Sequence, residues 1–351
     1  MTNFARLVDS CDVSEFASDP RPGWSSAMAL FGATRCDLTT LPASARFIAA
    51  GLPFDGTASS RAGAAEGPAA IRQSSIIFSS YIDSLGEHDM RDMRTGEVFR
   101  YQRPVVADAG DLHVYQTDTL RTFRAVAAEV RSLASTDATM LLMGGDHSIT
   151  FPAFAGWRAA VTARRPGMRV AYVQLDHHFD FGDHSALHGH LYHGSTARRI
   201  SELEGMESHR MAFVGVGSTT RKDQLDHLLA SGCHVVPACA IAQRGAAEAL
   251  APVLADLGRC DAVYVSLDID VLDASVAPGT GNVTVGGLTG AELFDVVAQL
   301  RTLTLGALDI TEVAPRYDPT GRTQQIAARL LFELVYRRPP GASSDRNGVS
   351  S

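Results

Sequence analysis

The chain has 351 residues, of which 45% are hydrophobic, so it can bury a substantial core in one large domain or two smaller ones. Its formal net charge of −8 argues against nucleic acid as a partner. No apolar run approaches the ~20 residues needed to cross a bilayer, and the acidic N-terminus does not resemble a signal peptide. Five widely spaced cysteines suit reduced thiols better than a disulfide framework. We therefore expect a cytoplasmic protein with no nucleic-acid or membrane partner.

Short apolar segments alternate with segments of helical periodicity along most of the chain. Strands are predicted at 46–54, 103–110, 138–145, 169–176, 210–217, 233–238, 262–270 and 306–313. Helices are predicted at 67–78, 118–134, 219–232, 244–258, 289–303 and 321–338. Strands that are apolar on both faces and alternate with helices are typical of an α/β fold, in which helices cover both sides of a mostly parallel sheet.

The domain organisation follows from composition. No linker-like segment interrupts residues 46–338, so we expect them to form one domain. Residues 1–45 are an N-terminal extension that we expect to pack on this domain or on a neighbouring subunit. Residues 339–351 are rich in Pro, Gly and Ser and are predicted to be a disordered tail.

Polar side chains follow three of the predicted strands, in the segments LLMGGDHSIT, YVQLDHHFD and YVSLDIDVLD. The carboxyl ends of strands are where open α/β sheets form their sites. The candidate metal ligands there are His147, Asp176, His178, Asp180, Asp268 and Asp270. In extended backbone, residues i, i+2 and i+4 point to one side, so Asp176, His178 and Asp180 are expected to converge. His177, between them, is expected to face the other way.

The chemistry of these side chains points to metal ions. Carboxylates placed so close together repel one another unless cations lie between them. Each motif alone has an ordinary interpretation, as a tight turn, a solvated loop or a helix cap. Their occurrence at three strand ends instead favours a shared site, and oxygen ligands with two imidazoles suit Mn²⁺ better than a thiolate zinc site. Two divalent ions would balance the four carboxylates.

Five segments match, in order, the signatures of a known family. They are GLPFDGTASSRAGAAEGPAAIR, GGDHSIT, DHHFD, SLDIDVLDASVAPGTGNVTVGGLT and DITEVAPRYDPTGRT. On these segments the sequence, from about residue 47 to 335, resembles the ureohydrolases, which include arginase, agmatinase and guanidino-acid hydrolases. The resemblance implies a three-layer α/β/α fold around about eight mostly parallel strands, a binuclear manganese site and a homo-oligomer, either a trimer or a hexamer.

The resemblance also implies a role for each candidate ligand. One Mn²⁺ would be held by His147 and Asp180 and the other by His178 and Asp270, with Asp176 and Asp268 bridging the pair. Ni²⁺ or Co²⁺ could replace Mn²⁺. Glu312 matches the family's glutamate that holds the guanidinium, a role suited to charge-assisted hydrogen bonds. The implied reaction is hydrolysis of a small cationic guanidino substrate to urea and a primary amine.

The family uses the histidine of a His-Gly pair to pass a proton to the departing amine. The segment SALHGHLYHGSTARRI contains two such pairs, which begin at His188 and His193. We choose His193 because a helix-like segment follows it, and His188 and His190 remain alternatives. His177 stands where the family usually has a small residue, and we expect a structural role near the site.

Two positions in the sequence limit the range of expected substrates. Arginases carry Asn and Ser where ungapped alignment puts Gly182 and Gly189 here, so free arginine is not favoured. Agmatine, or a guanidino acid such as guanidinobutyrate, fits better. Three alternatives remain: hydrolysis of formiminoglutamate or another amidine C–N bond, an arginase, and a metal-binding homologue without catalytic activity.

Overall fold

The computed structural model of the chain describes residues 11–21, 27–38, 40–86, 88–217 and 219–338. The strands of this part are β1 (Thr34–Arg35), β2 (Phe47–Leu52), β3 (Met90–Arg91), β4 (Val98–Tyr101), β5 (Val106–Asp111), β6 (Thr139–Gly144), β7 (Val170–Leu175), β8 (Met211–Val216), β9 (His234–Pro237), β10 (Ala262–Asp268), β11 (Leu305–Thr311) and β12 (Arg337–Arg338). Nine of them form a central parallel sheet in the order β1-β5-β2-β6-β11-β10-β7-β8-β9. A smaller antiparallel sheet has the order β12-β4-β3.

Helices cover both faces of the central sheet. They are α1 (Gly67–Leu85), α2 (Thr119–Leu133), α3 (Thr150–Arg164), α4 (Thr196–Ser201), α5 (Lys222–Ala230), α6 (Ala238–Arg244), α7 (Ala246–Leu257), α8 (Gly290–Leu300) and α9 (Arg322–Tyr336). One apolar core lies between the sheet and α1, α6, α7, α8 and α9. A second core lies between the opposite face and α2, α3, α4 and α5. The predicted three-layer α/β/α fold is confirmed, with nine central strands where about eight were expected.

All eight predicted strands are present in the central sheet, but several other elements were missed. The two-residue strand β1 and the three strands of the small sheet are too short to show a pattern in the sequence. Helix α3 was missed for a different reason, because ten of its 15 residues are buried. A helix buried on nearly every side has no alternation of apolar and polar faces to reveal it.

The described residues before the domain pack on its surface. Cys11 and Phe16 are buried against Ala125 and Ala128 of α2. Strand β1 pairs with β5 and so forms one edge of the central sheet. Residues 1–10, 22–26 and 39 of the predicted extension, and the predicted tail, lie outside the described residues. Among the described helices, none has the length and apolar character that a membrane crossing requires.

Candidate metal centre

The candidate ligands meet because four neighbouring strands run in the same direction. Strands β6, β11, β10 and β7 lie side by side at the centre of the sheet, so their carboxyl ends share one edge. The motif GGDH follows β6, DHHFD follows β7, and DID spans the end of β10. Glu312 follows β11 directly.

The first cluster surrounds the imidazole of His147. Its Nδ1 atom lies 2.8 Å from Asp180 Oδ2, 3.2 Å from Asp176 Oδ2 and 3.3 Å from Asp268 Oδ2. The histidine is fully buried, yet this nitrogen has no hydrogen-bond partner. A buried nitrogen without a partner that faces three carboxylate oxygens is the arrangement that a metal ion would complete.

The second cluster adjoins the first. His178 Nδ1 lies 3.3 Å from Asp176 Oδ1 and 3.3 Å from Asp270 Oδ2. Asp176 therefore turns one oxygen toward each cluster. The Oδ1 atom of Asp270 is buried and also has no hydrogen-bond partner. The six side chains, all of them predicted from the sequence, thus form two groups of potential metal ligands that share one carboxylate.

The pKa values of the buried aspartates also indicate a site for cations. Burial raises the pKa of Asp268 well above its usual range, and the neighbouring Asp270 and Asp176 raise it further. Burial and the charge of Asp176 raise the pKa of Asp270 to about 6. Buried carboxylates that repel one another in this way are stabilised as anions by cations placed between them. The residues present therefore fit a binuclear metal site.

The backbone that brings the ligands together differs from the extended one we expected. Strand β7 ends at Leu175, and Asp180 lies in the left-handed region with φ 45°. Asp270 lies in a 3₁₀ turn, Ile269–Val271, whose first residues are held by Asp268 Oδ1 accepting from the Asp270 N–H at 2.9 Å. The predicted convergence is present, but turns produce it. The extended-strand argument was wrong because it carried the strand geometry beyond the end of each strand.

His177 belongs to neither group of ligands, although it lines the cavity beside them. Its ring packs against Gly217, where a Cβ would lie 2.0 Å from His177 Nε2. Burial lowers the pKa of His177, and the neighbouring His178 lowers it further. The side chain fills the space that the glycine leaves.

A buried hydrogen-bond network holds the His147 ring. Its Nε2 lies 3.0 Å from Ser266 Oγ, which donates to Asp309 Oδ1 at 2.6 Å. Thr150 and Tyr264 donate to the other oxygen of Asp309. With Nε2 donating to Ser266, Nδ1 has its lone pair directed at the cluster. Sequence reasoning missed Ser266 and Asp309, although an aspartate inside an apolar strand is itself a signal of buried partners.

A second chain of hydrogen bonds orients Asp176. Gln174 Nε2 donates to Asp176 Oδ2 at 2.7 Å, and Tyr172 donates to Gln174 Oε1 at 2.9 Å. These residues alternate along β7, so their side chains lie on one side of the sheet. The shared carboxylate is therefore positioned by the strand that precedes it.

Glu312 lies beside the first cluster, at the wall of a cavity of about 420 Å³ that the clusters also reach. Its backbone is left-handed, with φ 62°, and its N–H donates to Gly145 O at 2.8 Å. One carboxylate oxygen, Oε1, accepts from the His147 N–H at 2.8 Å. Burial raises the pKa of Glu312 well above its usual range, and the carboxylate of Asp146 raises it further. A planar cation in the cavity would stabilise the ionised form.

Of the three candidate proton-transfer histidines, only His193 lines the cavity. It begins the 3₁₀ turn that leads into α4. Its Nε2 lies 2.7 Å from Ser59 Oγ, and its N–H donates to Thr57 Oγ1 at 3.1 Å. His190 instead places Nδ1 2.9 Å from the carbonyl oxygen of Asp183.

A family model described as the arginase family matches residues 45–336. The chain belongs to the arginase family. Human mitochondrial guanidino acid hydrolase is 30% identical over 82% of this chain and 77% of its own length. The agmatinase of Salmonella paratyphi B is 32% identical over 87% of this chain and 92% of its own. The solved proclavaminate amidino hydrolase of Streptomyces clavuligerus superposes with a TM-score of 0.72 at 27% identity, covering 90% of this chain and 98% of that one.

Membership in the arginase family confirms the predicted resemblance and makes this protein a hydrolase of linear amidines.

Within the family's early segment, GLPFDGTASSRAGAAEGPAAIR, sequence reasoning gave no role to Thr57 or Ser59. Two hydroxyl side chains spaced two residues apart in a polar loop were the one sign in the sequence that this loop has a role at the site. The structure places both against His193.

Proposed function

We propose that this member of the arginase family hydrolyses the guanidino group of a small cationic substrate to urea and a primary amine, using two Mn²⁺ ions. The observation that carries the proposal is the position of Asp176 between two clusters of metal ligands beside the cavity that Glu312 lines. Glu312 and ligands of both clusters line this one cavity, so a guanidino group bound there would lie close to them.

Each cluster would hold one ion. The first would be held by His147 and Asp180 and the second by His178 and Asp270, with Asp176, which lies in both groups, bridging them. Asp268 lies in the first group and matches the family's second bridging aspartate. When bound, two divalent cations lower the pKa of a shared water and so supply a nucleophile at neutral pH. Nickel or cobalt would suit the same mixed oxygen and imidazole ligands.

Glu312 would bind the guanidinium. The Oε1 atom already accepts the His147 N–H, so Oε2 would accept from the guanidinium. A carboxylate that accepts N–H bonds from a planar cation fixes both the position and the plane of that cation. The buried position strengthens the attraction because water is excluded.

His193 would transfer the proton. Addition of water to the guanidino carbon, followed by cleavage of the C–N bond, requires a proton on the departing amine. The imidazole of His193 lines the same cavity as Glu312, and a histidine side chain is suited to proton transfer.

Among possible substrates, we propose a guanidino acid first and agmatine second. Arg61 and Arg221 both line the cavity, and their charges favour a carboxylate at the far end of the substrate, although Arg221 also pairs with Asp223. Asp183 also lines it and would favour the ammonium group of agmatine, although Arg199 lies 2.8 Å from that carboxylate. Relatives of about 30% identity are named for each activity.

A screen of urea release tests this proposal. The protein, stripped of metal and then reconstituted with Mn²⁺, Ni²⁺ or Co²⁺, would be assayed on guanidinobutyrate, guanidinopropionate, agmatine, arginine, guanidine and formiminoglutamate. We expect turnover of a guanidino acid or agmatine that a chelator abolishes. Formamide released from formiminoglutamate would favour that alternative, and no turnover with any metal would favour a non-catalytic role.

The assembly and location are part of the same proposal. We propose a homo-oligomer of three or six subunits that works in the cytoplasm, with a catalytic domain at residues 46–338. The match of the family model to residues 45–336 supports this boundary, and none of the five cysteines forms a disulfide. Light scattering of the purified chain and fractionation of the source cells would test the two statements.

A further inference from the structure

The loop that follows β2 reaches across the cavity to His193. Ser59 Oγ lies 2.7 Å from His193 Nε2, and Thr57 Oγ1 accepts the His193 N–H at 3.1 Å. One loop therefore contacts both the ring and the backbone of this histidine, from 134 residues away in the chain.

The loop is itself fixed to the metal centre. The N–H and hydroxyl of Thr57 both donate to Asp146 Oδ2 at 2.9 Å, and Asp146 is fully buried. Gly145 packs against the backbone of Phe54 so closely that a Cβ there would lie 1.8 Å from the Phe54 carbonyl oxygen. Because His147 follows Asp146 directly, the position of Ser59 is tied to that of the first cluster.

We propose that Ser59 is a positioning residue that holds the imidazole of His193 in its orientation for proton transfer. The inference rests on the proposed function, in which His193 protonates the departing amine. With Nε2 bonded to Ser59, Nδ1 is the ring nitrogen left to carry the transferred proton. A serine hydroxyl can accept from the Nε2 N–H both before and after Nδ1 gives up its proton, so it keeps the ring in place throughout the transfer.

The experiment compares Ser59→Ala, Ser59→Thr, His193→Ala and the double variant Ser59→Ala/His193→Ala in the Mn²⁺-loaded protein. We expect Ser59→Ala to lower kcat by about 3- to 10-fold, the range for one lost hydrogen bond, with unchanged KM and metal content. Ser59→Thr keeps the hydroxyl and should restore most of kcat. Ser60→Ala, the matched control at the next residue, should keep the wild-type kcat and KM.

The double variant shows whether Ser59→Ala acts by misplacing the His193 ring or by disturbing the structure in general. We expect Ser59→Ala to cause no further loss when His193 is already alanine, because its effect passes through that ring. An equal loss on both backgrounds, or wild-type kcat in Ser59→Ala, would overturn the inference while leaving the proposed function intact. Wild-type kcat in His193→Ala would instead overturn the proposed proton transfer, and the inference with it.

Discussion

Asp180 brings its carboxylate to 2.8 Å from His147 Nδ1 from a left-handed backbone, with φ 45°. Residues other than glycine rarely adopt this region, although Asp and Asn do so more readily than most. Such a conformation costs about 1–2 kcal/mol, and it persists only where the surrounding structure enforces it. Here it turns a side chain beyond the end of β7 back toward the first cluster.

Asp180→Asn tests whether that carboxylate binds a metal. Asparagine keeps the shape and the tolerance for positive φ but removes the charge, so the metal-free fold should be unchanged. We expect the first ion to be bound more weakly and the second to remain, giving about one metal per subunit by elemental analysis. The exposed Asp183→Asn should keep both ions. Two tightly bound ions in Asp180→Asn would contradict the assignment.

Asp176→Ala removes the carboxylate that both clusters share. We expect both ions to be lost together and turnover to fall below detection, because each cluster loses an oxygen ligand in one change. Metal content after dialysis and urea release would be measured on the same preparation. A variant that kept both ions, with or without activity, would show that Asp176 does not bridge them.

Glu312→Gln keeps the size of the side chain and removes its charge. We expect two bound ions, since Glu312 belongs to neither cluster. The value of kcat/KM for the best guanidine should fall by about 100-fold, equivalent to ~3 kcal/mol for a charge-assisted pair in a buried site. A preserved kcat/KM would place guanidinium binding elsewhere in the cavity.

The buried His113 predicts a dependence of stability on pH that is unrelated to the metal centre. Its Nδ1 lies 2.7 Å from Glu129 Oε1 and its Nε2 lies 3.0 Å from the Asp19 carbonyl oxygen. Both ring nitrogens face acceptors, so the imidazolium is the form that satisfies them. The hydrogen bond to Glu129 raises the pKa of His113 above 6.5, against opposing effects of burial and of Arg21.

Because the folded-state pKa is raised, this stabilisation is complete below pH 6.5 and is lost as the pH rises through the folded-state pKa. His113→Ala should therefore lower the free energy of unfolding by about 3 kcal/mol at low pH and by less at high pH. Denaturant titrations in the presence of a chelator would measure the difference. The exposed His209→Ala is the control, and a pH-independent difference for His113→Ala would contradict this account.

Sequence patterns were sufficient for eight of the nine strands of the central sheet and for the side chains that form the two clusters, because each of those strands is a short apolar run and the cluster residues lie at or after strand ends. Sequence patterns did not predict contacts between residues that lie far apart in the chain. Asp309 meets Ser266 across two strands, and Ser59 meets His193 across 134 residues. Strand β12 pairs with β4, more than 230 residues earlier in the chain, so neither short segment suggested a sheet.

The pairing of β1 with β5 has a consequence for any shortened form of the protein. A chain trimmed to begin at the family-matched region would lack β1, and it would expose the backbone N–H and C=O groups on the open side of β5. Unpaired strand edges recruit other strands, so such a truncation is expected to self-associate and precipitate even with its active site complete. We therefore expect the short N-terminal strand to protect the β5 edge from self-association, a role that is independent of catalysis.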